Sequence, residues 1–193
     1  LTSTSVASRG AWEESEIIEE LRYLVTFNTF SLGGVDYPLG HLASFNVVVP
    51  AKDPLAMPAV LRVTFSHHVF SVKWHEGQPP DHEYVAFGEK RSFCPARYGC
   101  SIELPSIINY HVAGKAFQSR DGNGVLRHFF YAEVDGIPYP VFFKLSKARS
   151  APGVDGLMHI ISAYQNLDLP ARHKLQSVKF ARLVHTTCPP QTI

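Results

Sequence analysis

The sequence predicts an α+β fold: a twisted antiparallel sheet packed by short helices, with an N-terminal β-rich elaboration. Three observations lead there. Residues 125–134 and 137–145 are rich in aromatic and β-branched side chains, and Asp135-Gly136 between them suits a two-residue hairpin. A second turn cluster, Asp121-Gly122-Asn123-Gly124, opens the first of those runs. Helix signals are short. Leu104-Pro105 is the clearest, because proline is tolerated in a first helical turn.

Taken in order, residues 1–11 are rich in Ser, Thr and Ala and read as a flexible N-terminus. Residues 12–24 read as a short helix, with Trp12, Ile17, Leu21 and Leu24 near helical spacing and acids toward its start. Asn46–Pro50 is a short apolar strand, and Pro50, Pro54 and Pro58 then interrupt the chain. Residues 60–74 read as one long strand with 82–89 as its partner, and 92–101 as an irregular loop. A helix from Leu104 and the meander follow, with 157–164 as the third meander strand. Pro170 to His185 has mixed periodicity that fits neither helix nor strand alone. The organisation is therefore 1–11 flexible, 12–101 elaboration, 102–187 α+β core and 188–193 tail. One domain with a long elaboration fits as well as two lobes.

Composition narrows the function classes. The chain has 193 residues, 45% of them hydrophobic and 12% aromatic, enough for a real core rather than disorder. A formal charge of +1 gives no global attraction to nucleic acid, so any such contact needs a local patch. Acids concentrate in Glu13–Glu20, whereas 172–185 carries only basic charge. No apolar run approaches the ~20 residues of a membrane span, so no membrane partner is expected. No signal-peptide core is visible, and Leu1 rather than Met opens the chain, as in a fragment. An odd count of three cysteines leans to a reducing, cytoplasmic compartment.

The meander carries the chemistry-bearing residues. Alternation puts Leu126, His128, Phe130, Ala132 and Val134 on one face and Arg127, Phe129, Tyr131 and Glu133 on the other. A two-residue hairpin places Arg127 across from Lys144 and His128 across from Phe143. Two adjacent cations attract an anion, phosphate above all; alternatively both extend into solvent from a half-exposed sheet. On 157–164, Met158, Ile160, Ser162 and Tyr164 share a face, as if the strand leaves the core at its end. On the presumed strand 60–74, His67, Ser71 and Lys73 share a face and would add a basic rim.

The order of these elements is a short helix with proline (LPSII), then the strands NGVLRHFFYAEV and YPVFFKL, and a last strand ending Ser162-Ala163-Tyr164. It resembles the barnase–EndoU–colicin–RelE-like nucleases, in particular their phage- and toxin-associated branches, over about residues 103–165. The resemblance implies metal-independent RNA cleavage, in which a 2′-hydroxyl attacks the adjacent phosphate. It implies His111 or His128 as base or acid, Lys144 and Arg127 as phosphate stabilisers, and Ser162 and Tyr164 as orienting hydroxyls. RNA, and an inhibitor or immunity protein, are the partners it suggests, and a delivered effector is its alternative to a cytoplasmic protein. In a plain meander Lys144 pairs near Met158, so Ser162 and Tyr164 lie roughly 13–20 Å further along. These residues then line an extended groove rather than one phosphate.

Two other classes stay open: a non-catalytic module binding protein or nucleic acid on its aromatic sheet, and a zinc-dependent hydrolase. No cofactor and no metal are expected. Cys94 and Cys100 are spaced more widely than usual zinc ligands, and His67 and His68, if adjacent on a strand, point to opposite sides.

Overall fold

The computed structural model describes residues 27–51, 55–86, 88–148 and 151–190. The expected helix over 12–24 and the segment 1–11 lie outside them. Among the described residues twelve strands run in chain order: β1 (Phe30–Leu32), β2 (Val35–Tyr37), β3 (Phe45–Val49), β4 (Ala59–Phe65), β5 (Ser71–Lys73), β6 (Glu83–Ala86), β7 (Glu89–Phe93), β8 (Lys115–Arg120), β9 (Leu126–Val134), β10 (Ile137–Lys147), β11 (Gly156–Ala163) and β12 (Ser177–Lys179). The helices among them are α1 (Pro95–Ser101), α2 (Leu104–His111) and α3 (Phe180–Thr187).

Seven strands form one sheet in the order β12-β8-β9-β10-β11-β4-β3. All its pairs are antiparallel except β11 with β4. The sheet thus draws β3 and β4 from the first half of the chain into the meander's layer. The fold is α+β, as the turn and strand pattern predicts. The β9–β10 hairpin forms as expected: Asp135 (φ 55°) and Gly136 (φ 73°) are both left-handed, and Val134 pairs with Ile137.

One face of this sheet carries the main core. Phe130, Tyr139, Val141, Phe143, Met158, Ile160, Leu61 and Val63 meet Leu104 and Ile108 of α2 and Phe180 and Val184 of α3. Phe117, Phe129 and Tyr131 lie on the other face, in a smaller cluster partly covered by Leu169 and Leu175. The alternation expected on β9 holds.

Three expectations change. Residues 60–74 are not one strand: β4 ends at Phe65, a 3-10 turn spans His67–Val69, and β5 starts at Ser71. Val69 and Phe70 are consecutive and both fully buried, which a half-exposed strand of period two cannot achieve. Residues 83–86 pair with β7 rather than with β4, and β5, β7 and β6 form a separate three-stranded sheet. Residues 92–101 are the end of β7 followed by α1, with Pro95 in its first turn, instead of a loop. The tail resolves into a 3-10 turn, β12 and α3.

Candidate functional site

Strand register builds a polar row across the face opposite the main core. Ser119 pairs with Arg127, and one further step of the β9–β10 register places Arg127 beside Lys144. Lys144 pairs with His159 rather than Met158, and His159 pairs with Thr64 of β4. Lys144 is exposed, whereas Thr64 is buried. Thr64 Oγ1 and His159 Nδ1 are hydrogen-bonded at 3.0 Å. Burial lowers the His159 pKa to about 4, and the charges of Lys144, His68 and His67 push in the same direction. At neutral pH His159 is therefore an uncharged imidazole beside a lysine. Arg127, by contrast, is held by Asp121: its Nε and Nη2 both approach Oδ2 at 2.9 Å.

The strand β11 changes face partway along. Phe143 pairs with Ile160 but Phe142 pairs with Ser162, so Ile161 is an extra residue in a β-bulge. Ala163 then enters the core, while Ser162 and Tyr164 turn to the Lys144 side; Tyr164 stacks on Phe142 at 6.2 Å. The expectation that Met158, Ile160, Ser162 and Tyr164 share one face is therefore corrected by the bulge. Arg97 of α1 lies over the Tyr164 ring at 5.1 Å.

A second cluster sits where β4 ends, at the carboxyl end of the parallel β4–β11 pair, a common place for ligands in sheets with parallel strands. The Ser66 N–H donates to the Ile160 carbonyl, and Ser66 Oγ accepts from the His68 N–H, which starts the 3-10 turn. This turn brings His67 Nε2 and His68 Nε2 each to 3.3 Å from Glu89 Oε2. Their adjacency in sequence therefore does not send them to opposite sides, and the strand geometry behind that expectation is absent. Arg91 Nη1 donates to the other oxygen of Glu89 at 2.7 Å, and Arg91 Nε donates to Ser71 Oγ at 2.8 Å. Ser71 Oγ in turn donates to the His67 carbonyl at 2.6 Å. Arg97 Nη1 donates to the carbonyls of His68 and Ser71. The Arg91 hydrogen bond, more than those from His68 and His67, holds the Glu89 carboxyl down at about 2. Burial lowers both histidines, His67 further through His68 and His68 through Arg91.

The residues expected to act together separate into groups. Lys144, Ser162 and Tyr164 share the open face, and His67 is in the turn at its β4 side. His111 and His128 face the main core: the His111 ring stacks on Phe130 at 5.3 Å, and His128 stacks on Phe143 while accepting from the Gln118 amide at 3.1 Å. His111 borders a separate cleft of about 680 Å³ with Tyr110, Glu133 and Arg172. Lys73 is exposed on β5, paired with Arg91, in the smaller sheet. Sequence reading gave no role to Thr64, Glu89, Arg91 or Arg97, weighed His68 only as a zinc ligand, and noted His159 only as one of the basic residues of the meander. The one local signal was Ser66-His67-His68, a serine poised to cap a turn; the other contacts join residues distant in sequence.

Among the described residues no helix is long and apolar enough to cross a membrane. No curated protein and no solved structure matches the chain significantly. The YjaZ family model matches residues 26–188, which takes in every strand and helix described above, and the chain belongs to the YjaZ family.

Proposed function

We propose that this chain is an endoribonuclease that cleaves RNA without a metal ion, on the open face of β9, β10, β11 and β4. The observation that carries the reading is the direct cross-strand pairing of exposed Lys144 with neutral, half-buried His159, itself bonded to Thr64. The reaction needs a group that takes a proton from the 2′-hydroxyl, an acid for the leaving oxygen, and a cation for the extra negative charge on phosphorus. His159 takes the first role. The 2′-oxygen then bonds to phosphorus, the bond from phosphorus to the 5′-oxygen breaks, and that oxygen gains a proton. His68, in the turn that follows β4, is the second imidazole and the candidate acid; Glu89, 3.3 Å from its Nε2, favours its protonated form against the burial that lowers it.

A resting His159 pKa of about 4 makes a weak base. A bound phosphodiester lies against the same ring and adds negative charge, which raises that pKa toward the useful range. Phe142 and Tyr164, half-buried and stacked on each other, offer an aromatic surface for an unpaired base. Arg127 adds little beyond Asp121, which already occupies it.

The test is cleavage of a mixed RNA pool by the whole chain in the presence of a chelator, with product ends analysed. A 2′,3′-cyclic phosphate and a free 5′-hydroxyl are expected. Absence of cleavage under every condition, with RNA nevertheless bound, would move the chain to the non-catalytic binding class.

A further inference from the structure

We infer that His67, His68 and Glu89 hold one divalent transition-metal ion, zinc in preference to magnesium or calcium. Among the described residues these three are the group of His, Cys, Asp and Glu whose ligand atoms converge, all within 4.8 Å of one another. The two separations to the carboxylate fit an ion. Each imidazole Nε2 lies 3.3 Å from Glu89 Oε2. Donors bonded at ~2.0–2.1 Å in tetrahedral geometry sit ~3.3–3.4 Å apart. As hydrogen bonds, two separations of 3.3 Å to a single oxygen are long.

The supporting shell is built like that of a metal site. Arg91, with a side chain 8% exposed, bonds Glu89 Oε1 and leaves Oε2 turned to the imidazoles. Ser71 links Arg91 to the His67 carbonyl, and Arg97 clamps the His68 carbonyl. The three donors therefore stand on fixed backbone, with few rotamers left to order when the ion arrives. The His67 side chain is 8% exposed and that of His68 is 34% exposed, so the pocket is closed on one side and open on the other.

Donor type selects the ion. Two imidazoles and one carboxylate suit zinc and its first-row neighbours, whereas calcium and magnesium prefer oxygen ligands throughout. Three protein donors leave a coordination position for water or a phosphate oxygen. Arg91 and Arg97 oppose the added charge and weaken the hold without removing a ligand. The ion would also join β7 of the small sheet to the turn that ends β4 of the large one.

This inference shares His68 with the ribonuclease reading, in which the metal-free chain uses it as the acid; the two are told apart because ion binding and RNA products are measured separately. The chelator-stripped whole chain is titrated with zinc and, for its visible spectrum, with cobalt(II). One ion per chain is expected, with a thermal midpoint raised by about 5–10 °C at a hundredfold excess over Kd. Glu89→Gln and His68→Asn should each weaken binding by 10-fold or more while circular dichroism stays unchanged. X-ray absorption on zinc-loaded wild type needs no variant, and should show imidazole and oxygen neighbours without sulfur. Failure of wild type to bind, equal binding by both folded variants, or a sulfur shell overturns the site. If the site binds zinc and chelated protein still cleaves RNA, both readings stand. If cleavage then requires the ion, the metal-free mechanism falls and the site remains.

Discussion

The two faces of the seven-stranded sheet use the same residue types for different ends. On the core face His128 of β9 stacks on Phe143, and His111, the last residue of α2, lies flat against Phe130, both as polar aromatic fillers. On the open face His159 meets Lys144 and Thr64 by cross-strand pairing. Burial lowers the pKa of all three imidazoles, so a depressed value alone does not mark a site. What separates His159 is a lysine in direct cross-strand register beside it on the open face. A histidine in a strand acquires a role from its face and its cross-strand neighbours, and both depend on register.

The largest expected effect tests that difference directly. His159→Gln should slow RNA cleavage by about 10²–10⁴-fold, the range for a lost general acid or base, and Lys144→Ala by about 10²-fold. His128→Gln keeps its hydrogen-bonding position next to Gln118 and should leave the rate within about threefold of wild type, on the view that a core-face residue takes no part in general acid–base chemistry. Single-turnover rates on one RNA substrate, with thermal midpoints as the folding control, decide the matter. Equal losses at His128 and His159 would erase the distinction between the faces.

Much of the fold was legible because it is local. Asp135-Gly136 fixes the β9–β10 hairpin, and alternation over 126–134 assigns both faces of β9. The site was less legible because its contacts are not local. Thr64 and His159 are 95 residues apart, and β4 joins β11 as a parallel pair that no turn residue announces. The bulge at Ile161 moves Ser162 and Tyr164 to the other face, against strict period-two alternation. The run VLRVTFSHHVFSVKW alternates like a strand, yet the need to bury Val69 and Phe70 together folds it into a turn. That turn is why His67 and His68 act together instead of diverging.

Acid should act on the buried imidazoles first. His159 has a folded-state pKa of about 4 against an ordinary 6.5, so the unfolded chain binds its proton more readily. Its contribution is complete above about pH 6.5 and is lost as pH falls from there toward 4, by about 3 kcal/mol at most. His111, lowered by burial and then by Arg172, acts with the same sign. Denaturant midpoints of wild type and His159→Gln between pH 7 and pH 4 should converge on acidification. Parallel curves would mean that His159 is as solvated in the folded chain as in the unfolded one.

A smaller effect on the core side tests how closely that face is filled. Gly156 opens β11 opposite Leu61, and a Cβ there would lie 2.5 Å from Cys188 Sγ and 2.9 Å from Leu61 Cδ2. Gly156→Ala should cost about 1–3 kcal/mol through overpacking. Relief by a simultaneous Cys188→Ala, measured as a double-mutant cycle, would assign the cost to that contact. Additive losses would place the strain elsewhere.

The smallest effect concerns a polar atom on the core face. The Tyr139 ring is fully buried in the main core, and its hydroxyl has no hydrogen-bond partner among the described residues. Burial pushes its pKa well above the ordinary range, so the group stays protonated and neutral. A buried hydroxyl without a partner carries its desolvation cost with no return, so Tyr139→Phe should be neutral or stabilising by up to about 1 kcal/mol. Thermal unfolding resolves this, since 1 kcal/mol corresponds to roughly 2–4 °C for a chain of this size. The charges of Cys100 and Arg97 also act on it, and Arg97 covers Tyr164 on the open side. A loss greater than about 1 kcal/mol would therefore reveal a hydrogen bond in solution, through water or toward Arg97, and would join the two faces at that arginine.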